Sequence, residues 1–245
     1  MEIGFSQRIQ LGWLEETSAL LLAGGSRTEI QARLKELLRD QLSVGSNPAR
    51  GNRDKAVTIL LKIWVSPPAH LRALRDEGLA HLQRLPAGEH LPVHWGMSLA
   101  VYPFFGAVAE TVGRLLRLQG TVAASQAQRR IREQLGERAT VARAARRVLR
   151  CFVDWGVLRD TAVKGVYQAT PARPVEGAEL RAWLAEAALR GGEAAAVPLG
   201  ALAQAPALFP FALGHLSPAE LLANGRLEVF RQGLDQDAVS LRSRR

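Results

Sequence analysis

Four arginines recur at helical spacing in the middle of the chain, at Arg143, Arg146, Arg147 and Arg150. The spacing i, i+3, i+4, i+7 places all four on one side of a helix, and the row contains no carboxylate. Arginine forms paired hydrogen bonds with guanine and charge-assisted bonds with phosphate. A helix also fits the major groove of B-DNA. The row therefore predicts a recognition helix for duplex DNA, and a solvated basic face is the alternative.

The net charge of the chain is concentrated around this row. The 245 residues include 32 Lys and Arg against 23 Asp and Glu, a formal charge of +9. The segment 114–174 alone has 13 basic and 4 acidic residues, so the rest of the chain is neutral overall. A surplus this local is typical of a surface that binds a polyanion. Besides the row, the predicted DNA-contact residues in this segment are Arg129, Arg130, Arg138, Thr140 and Lys164.

A smaller basic cluster lies in the N-terminal third, at Arg50, Arg53 and Lys55. It leads into a predicted helix, so it could bind phosphate beside the central unit. A solvated loop is the alternative interpretation.

The segment that positions the row, residues 105–170, fits a winged helix-turn-helix. A first helix ends at 118–120, and Ser125 is expected to cap a second helix that Gly136 ends. Thr140 is expected to cap the third helix, Val141–Trp155, with Trp155 buried against the wing and the first helix. Short apolar pairs at 157–158 and 166–167 predict the two strands of the wing, with Lys164 in the turn between them.

The predicted fold class is mainly α, with three parts. Residues 1–90 form a helical bundle, with helices at 5–23, 29–42 and 53–65, a loop at 43–52 and a fourth helix from 66–68 onward. Residues 91–172 comprise the winged unit and its connecting helix. Because prolines, a histidine and the continuation into charged residues disfavour a membrane span, the apolar run 91–112 is predicted to be that buried helix.

The third part, residues 175–245, reads as a small α+β module. The pattern predicts a helix within 174–192, a strand at 207–213, a capped helix at 217–224 and two strands around Gly233. This order of a helix followed by a hairpin also fits a second winged domain. Because its charges are mixed, we expect a module that contacts proteins.

The sequence contains no motif that favours an enzyme. A GK dipeptide is absent, as is G-x-S-x-G, and no acidic residue lies two positions before a lysine. His90 and His94 have the spacing of a metal pair, but Pro92 lies between them and HExxH is absent, so no metal or cofactor is predicted. Cys151, the single cysteine, is expected to be structural. No secretory signal is recognisable, which predicts a cytoplasmic protein.

The chain resembles the BrxA-like accessory DNA-binding proteins of bacterial BREX phage-defence systems. The resemblance covers residues 5–170, through IQLGWLEETSALLLAGGSRTEIQ and WGVLRDTAVKGVYQ. It implies a non-enzymatic component that works beside a methyltransferase or an ATPase. The resemblance does not extend to the C-terminal module, through which we expect such subunits to be contacted. Two interpretations stay open: a duplex-DNA-binding protein of a defence system, or an assembly subunit or transcriptional regulator whose winged helix contacts a protein.

Overall fold

The computed structural model describes residues 3–42, 51–231 and 236–242. This part of the chain is mainly helical, with three small sheets. The N-terminal region contains α1 (Leu11–Leu22), α2 (Arg27–Leu37), α3 (Asn52–Trp64) and α4 (Arg72–Arg84). A capping box begins α2, in which the side chains of Ser26 and Glu29 each accept a hydrogen bond from the other residue's backbone N–H. The predicted loop at 43–52 lies mostly outside the described residues.

The first predicted helix begins later than expected. Residues 5–9 are not helical; Phe5, Gln7 and Ile9 are buried in alternation, and α1 starts only at Leu11. Phe5 and Ile9 are spaced for a helix face, but they are equally spaced for one side of an extended segment. We call residues 5–9 the N-terminal segment.

The predicted single helix over 91–112 is two helices. They are α5 (Leu91–Val101) and α6 (Pro103–Gln119), bent by 117° at Tyr102. Proline disfavours the α region for the residue before it, and Tyr102 accordingly has φ −127° and ψ 89°. Every residue of α5 is buried. In the described ranges no single helix is long and apolar enough to cross a bilayer, and α5 with α6 passes that test only as a bent pair.

The central region continues from α6 into β1 (Thr121–Ala123), α7 (Ala124–Leu135), α8 (Ala139–Asp154), β2 (Leu158–Asp160) and β3 (Val166–Ala169). The three strands form an antiparallel sheet in the order β1-β3-β2. The two predicted strands are thus present, and β1 was not predicted. Neither predicted cap is correct: α7 follows Ala123 and α8 follows Arg138, both without a side-chain cap. Ser125 and Thr140 lie inside their helices because each helix begins one residue before them.

The C-terminal region has a similar order of elements, with two additional short strands, β4 and β6. It contains β4 (Arg173–Pro174), α9 (Ala178–Gly191), β5 (Ala196–Pro198), α10 (Leu199–Ala203), β6 (Phe211–Ala212), α11 (Pro218–Ala223), β7 (Leu227–Arg231) and β8 (Asp237–Leu241). The antiparallel sheet β5-β8-β7 has the connectivity of β1-β3-β2, and β4 pairs in parallel with β6. Of the predicted strand at 207–213, only β6 is a strand. Gly233 lies outside the described residues.

One hydrophobic core contains side chains from all three predicted parts. Trp95 of α5 lies at its centre, in contact with the rings of Phe105, Phe152, Trp155, Phe209 and Phe211. Its indole N–H donates to the Ala207 carbonyl at 3.0 Å. On α6, Gly113 packs so closely that a Cβ there would lie 2.0 Å from the Pro206 carbonyl oxygen. Aromatic packing and backbone contact therefore join the central region to the C-terminal one.

A buried charge joins the N-terminal region to the C-terminal one. The Glu186 side chain on α9 is fully buried, and it accepts hydrogen bonds from Arg190, Asn224 and Arg226. Arg226 also contacts Glu77 of α4. Burial alone would raise the pKa of Glu186, but the bonds from Arg226 and Arg190 outweigh burial and lower it. The charge of the Glu186 carboxylate therefore holds α4, α9 and the segment after α11 together.

Candidate nucleic-acid interface

The helix α8 has one buried and one basic side, as its sequence predicts. Val141, Ala145 and Val148 are fully buried on the inner side, where α7 packs against it. Gly136, at φ +103°, ends α7 in a conformation that favours glycine. The tight turn that follows directs the start of α8 outward, where Arg138 and Thr140 are exposed.

The four arginines of α8 do not share one environment. Arg143 and Arg146 are exposed, and neither side chain has a hydrogen bond or ion pair to any residue that the structure describes. Arg147 is half-buried and donates a hydrogen bond to the Ser6 carbonyl at 2.5 Å. Arg150 is also half-buried and lies 3.8 Å from Asp160 of β2. Two of the four guanidinium groups are therefore available to a ligand without breaking a contact.

Electrostatics also sets Arg147 apart. Burial lowers the pKa of its guanidinium, and the neighbouring charges of Arg143 and Arg146 lower it further. A group whose charge is disfavoured in this way needs a partner, and the Ser6 carbonyl supplies it. The sequence did not predict this contact, because the two residues are 141 positions apart.

The remaining predicted contact residues lie around α8 on α7 and on the β2–β3 turn. Arg129 and Arg130 are exposed, and both lie near Glu133, at 3.7 and 3.6 Å. Lys164 is exposed beside Val163, which is 63% exposed at the tip of the turn. The pairs with Glu133 are long and solvated, and such pairs contribute little to stability. A polyanion can replace them at small cost.

The secondary basic cluster is only partly described. Arg50 lies outside the described residues, Arg53 is half-buried in the first turn of α3, and Lys55 is exposed. Asn52, at the start of that helix, accepts a hydrogen bond from Gln7 at 3.3 Å. The start of α3 therefore contacts the same N-terminal segment that contacts α8.

The N-terminal segment is the feature of this site that sequence reasoning missed. Arg8 forms a two-point ion pair with Asp154, through hydrogen bonds of 2.5 and 2.6 Å. The Ile9 N–H donates to the Cys151 thiol, and its carbonyl accepts from the Trp155 indole at 2.9 Å. Together with the bond from Arg147, these contacts fix the C-terminal half of α8 to residues 6–9. The alternation of Phe5, Gln7 and Ile9 was the available signal.

Cys151 and Trp155 serve this contact. Burial raises the pKa of the Cys151 thiol to about 12, so it stays protonated at neutral pH, in agreement with the structural role expected for it. Trp155 is 2% exposed, and its ring contacts Phe105 of α6, as expected, and Trp95 of α5. Among the described residues, the side chains that could bind a metal ion together lie between α1 and α5. They include none of the predicted DNA-contact residues.

Comparison of the chain with protein-family models, with curated proteins and with solved structures gave no match. The case for a function therefore rests on the geometry and charge of this surface.

Proposed function

We propose that the protein binds duplex DNA through a winged helix-turn-helix formed by α6, β1, α7, α8, β2 and β3. In this proposal α8 is the recognition helix and the β2–β3 turn is the wing. The order of these elements and the strand order β1-β3-β2 support it. The observation that carries it is the pair Arg143 and Arg146, two exposed arginines without partners in the described residues, on the outer side of α8.

Each proposed contact residue has a role that follows from its position. Arg138 precedes α8 and Thr140 lies in its first turn, where a recognition helix reaches base edges. Arg143 and Arg146 follow along the same helix, and each can form paired hydrogen bonds with guanine or a bond to phosphate. Arg129, Arg130 and Lys164 flank the helix and are suited to phosphate, which fixes the register of a protein on DNA.

We propose binding without catalysis, which is supported by the lack of a GK dipeptide, of G-x-S-x-G and of an acidic residue two positions before a lysine in the sequence. We further propose, from the resemblance to BrxA-like proteins, that it acts in a phage-defence system beside a methyltransferase or an ATPase. Incubation of pure protein with plasmid and Mg²⁺ tests the non-enzymatic part. Intact plasmid is expected, and nicking or cleavage would contradict it.

The test of DNA binding is a double variant, Arg143→Ala with Arg146→Ala, in a fluorescence-anisotropy titration of a labelled duplex. If both arginines contact phosphate, the slope of log affinity against log salt should flatten by about 1.8, since each contact contributes about 0.9. By counterion release alone, binding should weaken about 200-fold at 50 mM salt and about 18-fold at 200 mM. A contact to a base edge would instead cost ~1–3 kcal/mol of sequence discrimination.

The matched control removes the same charge elsewhere. Arg33 on α2 and Arg72 on α4 are exposed, and replacing both by alanine changes the net charge equally. The control variant should keep the slope of the parent protein. If both double variants weaken binding alike, the attraction is a general effect of net charge, and α8 is not the binding surface.

A second candidate function, an assembly subunit, is favoured by the C-terminal region. Its sheet repeats the connectivity of the central sheet. The charge of Arg181, however, is neutralised by the Glu220 side chain of α11. Leu222 on α11 and Phe230 on β7 are exposed, at 46% and 42%. Exposed apolar side chains of this kind are suited to a protein partner. If the parent protein binds no duplex even at 50 mM salt, this second function replaces the first.

A further inference from the structure

Three side chains with metal-ligating atoms meet between α1 and α5, away from the proposed DNA-binding surface. The Glu15 carboxylate on α1 lies 2.8 Å from His90 Nδ1 and 3.2 Å from His94 Nε2. One ligand atom from each residue lies within 4.8 Å of the other two. We call these three residues the Glu15–His cluster.

The backbone brings the two histidines to one side of a helix. His90 immediately precedes α5, and His94 lies one turn further on. Pro92 is in the first turn of α5, where its missing N–H has no helical partner to lose. Pro92, which argued against a metal-binding pair when only the sequence was considered, is therefore compatible with such a pair in the fold.

The two ring nitrogens of His90 both face hydrogen-bond acceptors. His90 Nε2 lies 3.0 Å from the Leu85 carbonyl, which can only accept, so Nε2 carries the proton. In neutral imidazole the other nitrogen, Nδ1, then has a lone pair, and this lone pair faces the Glu15 carboxylate. Two acceptors 2.8 Å apart require a positive charge, either a second proton on His90 or a bound cation.

His94 gives an independent indication. Its side chain is fully buried, and neither ring nitrogen has a hydrogen-bond partner among the described residues. Nε2 lies near Glu15 Oε1 without the alignment of a hydrogen bond. Buried polar atoms without partners are rare, and a metal ion would satisfy this one.

We propose that the Glu15–His cluster binds a divalent transition-metal ion of the Zn²⁺ class, through His90 Nδ1, His94 Nε2 and a carboxylate oxygen of Glu15. Two imidazoles and one carboxylate are a donor set that favours Zn²⁺ over Mg²⁺ or Ca²⁺. Tetrahedral bonds of about 2.1 Å place ligand atoms roughly 3.4 Å apart, so shifts of about 1 Å in the side chains are sufficient.

The surroundings are suited to such a site. The bond from His90 Nε2 to the Leu85 carbonyl is the outer contact that commonly orients a ligating histidine. The ring of Trp64 packs edge-on against His94, which fixes the second ligand. Glu15 is 32% exposed, so its side gives an ion access and leaves room for a water as fourth ligand. The bound ion would fasten α1 to α5.

The full-length protein is first treated with a chelator and then titrated with ZnCl₂. Isothermal titration calorimetry measures the stoichiometry and affinity, and thermal unfolding measures the change in Tm. The proposal predicts uptake of one Zn²⁺ per chain, a rise of several degrees in Tm, and no such rise with MgCl₂. Glu15→Gln keeps the shape of the side chain but weakens the oxygen as a ligand. It should reduce Zn²⁺ affinity at least tenfold while the fold is retained, as far-UV circular dichroism would show.

Two controls separate the cluster from adventitious binding. Glu16→Gln alters the neighbouring carboxylate, which lies near Arg33, and His215→Ala removes an exposed histidine outside the cluster. Both variants should bind Zn²⁺ like the parent protein. The proposal is overturned if the parent takes up no stoichiometric Zn²⁺, or if Glu15→Gln binds it equally well. The cluster would then be an ion pair between Glu15 and protonated His90.

Discussion

Replacement of Arg147 by alanine should lower stability, whereas replacement of Arg143 or Arg146 should not. Arg147 is half-buried and donates to the Ser6 carbonyl, so its loss removes a bond that fixes the N-terminal segment to α8. The carbonyl would then lose its charged partner. Arg143 and Arg146 have no partner in the described residues, and alanine favours helix at least as well as arginine.

The expected magnitude follows from that one bond. A hydrogen bond to a charged group contributes about 1.5–3 kcal/mol. A chain of 150–250 residues loses about 2–4 °C in Tm for each kcal/mol, so Arg147→Ala should lower Tm by roughly 3–12 °C. Surface substitutions without such contacts usually change the free energy of unfolding by less than about 0.5 kcal/mol. Arg143→Ala and Arg146→Ala should therefore unfold within about 2 °C of the parent.

Thermal unfolding followed by circular dichroism at pH 7 measures the three variants under identical conditions. The same preparations enter the DNA titration at a temperature well below the lowest Tm. Arg147→Ala should then weaken binding less than Arg143→Ala does, because its guanidinium is engaged within the protein. An Arg147→Ala variant that unfolds like the parent and binds DNA as weakly as Arg143→Ala would refute this division of the arginine row.

Three further predictions concern the scaffold. Trp155→Ala should destabilise the protein by about 3–5 kcal/mol, as seen by urea unfolding, because the ring is buried in the aromatic core. Glu186→Gln should cost about 1.5–3 kcal/mol at pH 7, since it removes the charge that the half-buried Arg190 and Arg226 contact. The pKa of Glu186 in the folded protein is lower than its ordinary value of 4.5. The ionised carboxylate therefore stabilises the fold fully above pH 4.5, and this stabilisation is lost as the pH falls through the pKa of the folded state. The difference in the free energy of unfolding between Glu186→Gln and the parent should shrink in that acidic range. Gly113→Ala should lower Tm because its Cβ meets backbone, whereas Gly12→Ala, with open space around it, should not.

The elements of the central region could be predicted because their signals are local. Gly136 and Gly156 bound α8, apolar residues at helical spacing form its inner side, and short apolar pairs mark β2 and β3. The strand β1 has only three residues, too few for alternation to show. The bend at Tyr102 was predictable in principle, since the residue before a proline avoids helical geometry, but the apolar run concealed it.

The parts of the site that the sequence did not reveal depend on residues far apart in the chain. Arg147 reads as a fourth member of the row until the fold places Ser6 beside it, 141 residues away. The Glu15–His cluster likewise joins residues 75 positions apart. Spacing along a helix predicts which residues share a side, but it cannot show which of them already have partners.

The sheets β1-β3-β2 and β5-β8-β7 share one connectivity, but the helices beside them differ in surface charge. This difference in charge distinguishes the two proposed functions. Each repeat has a three-stranded antiparallel sheet whose last strand lies in the middle. On the first, the helix before the hairpin is α8, with Arg143 and Arg146 exposed and unpaired in the described residues. On the second, the corresponding helix α11 has a carboxylate, Glu220, in contact with Arg181, and an exposed Leu222. Because fold alone does not determine function, this difference in exposed side chains is the reason we propose DNA binding through α8 and keep a protein partner at α11 as the second candidate.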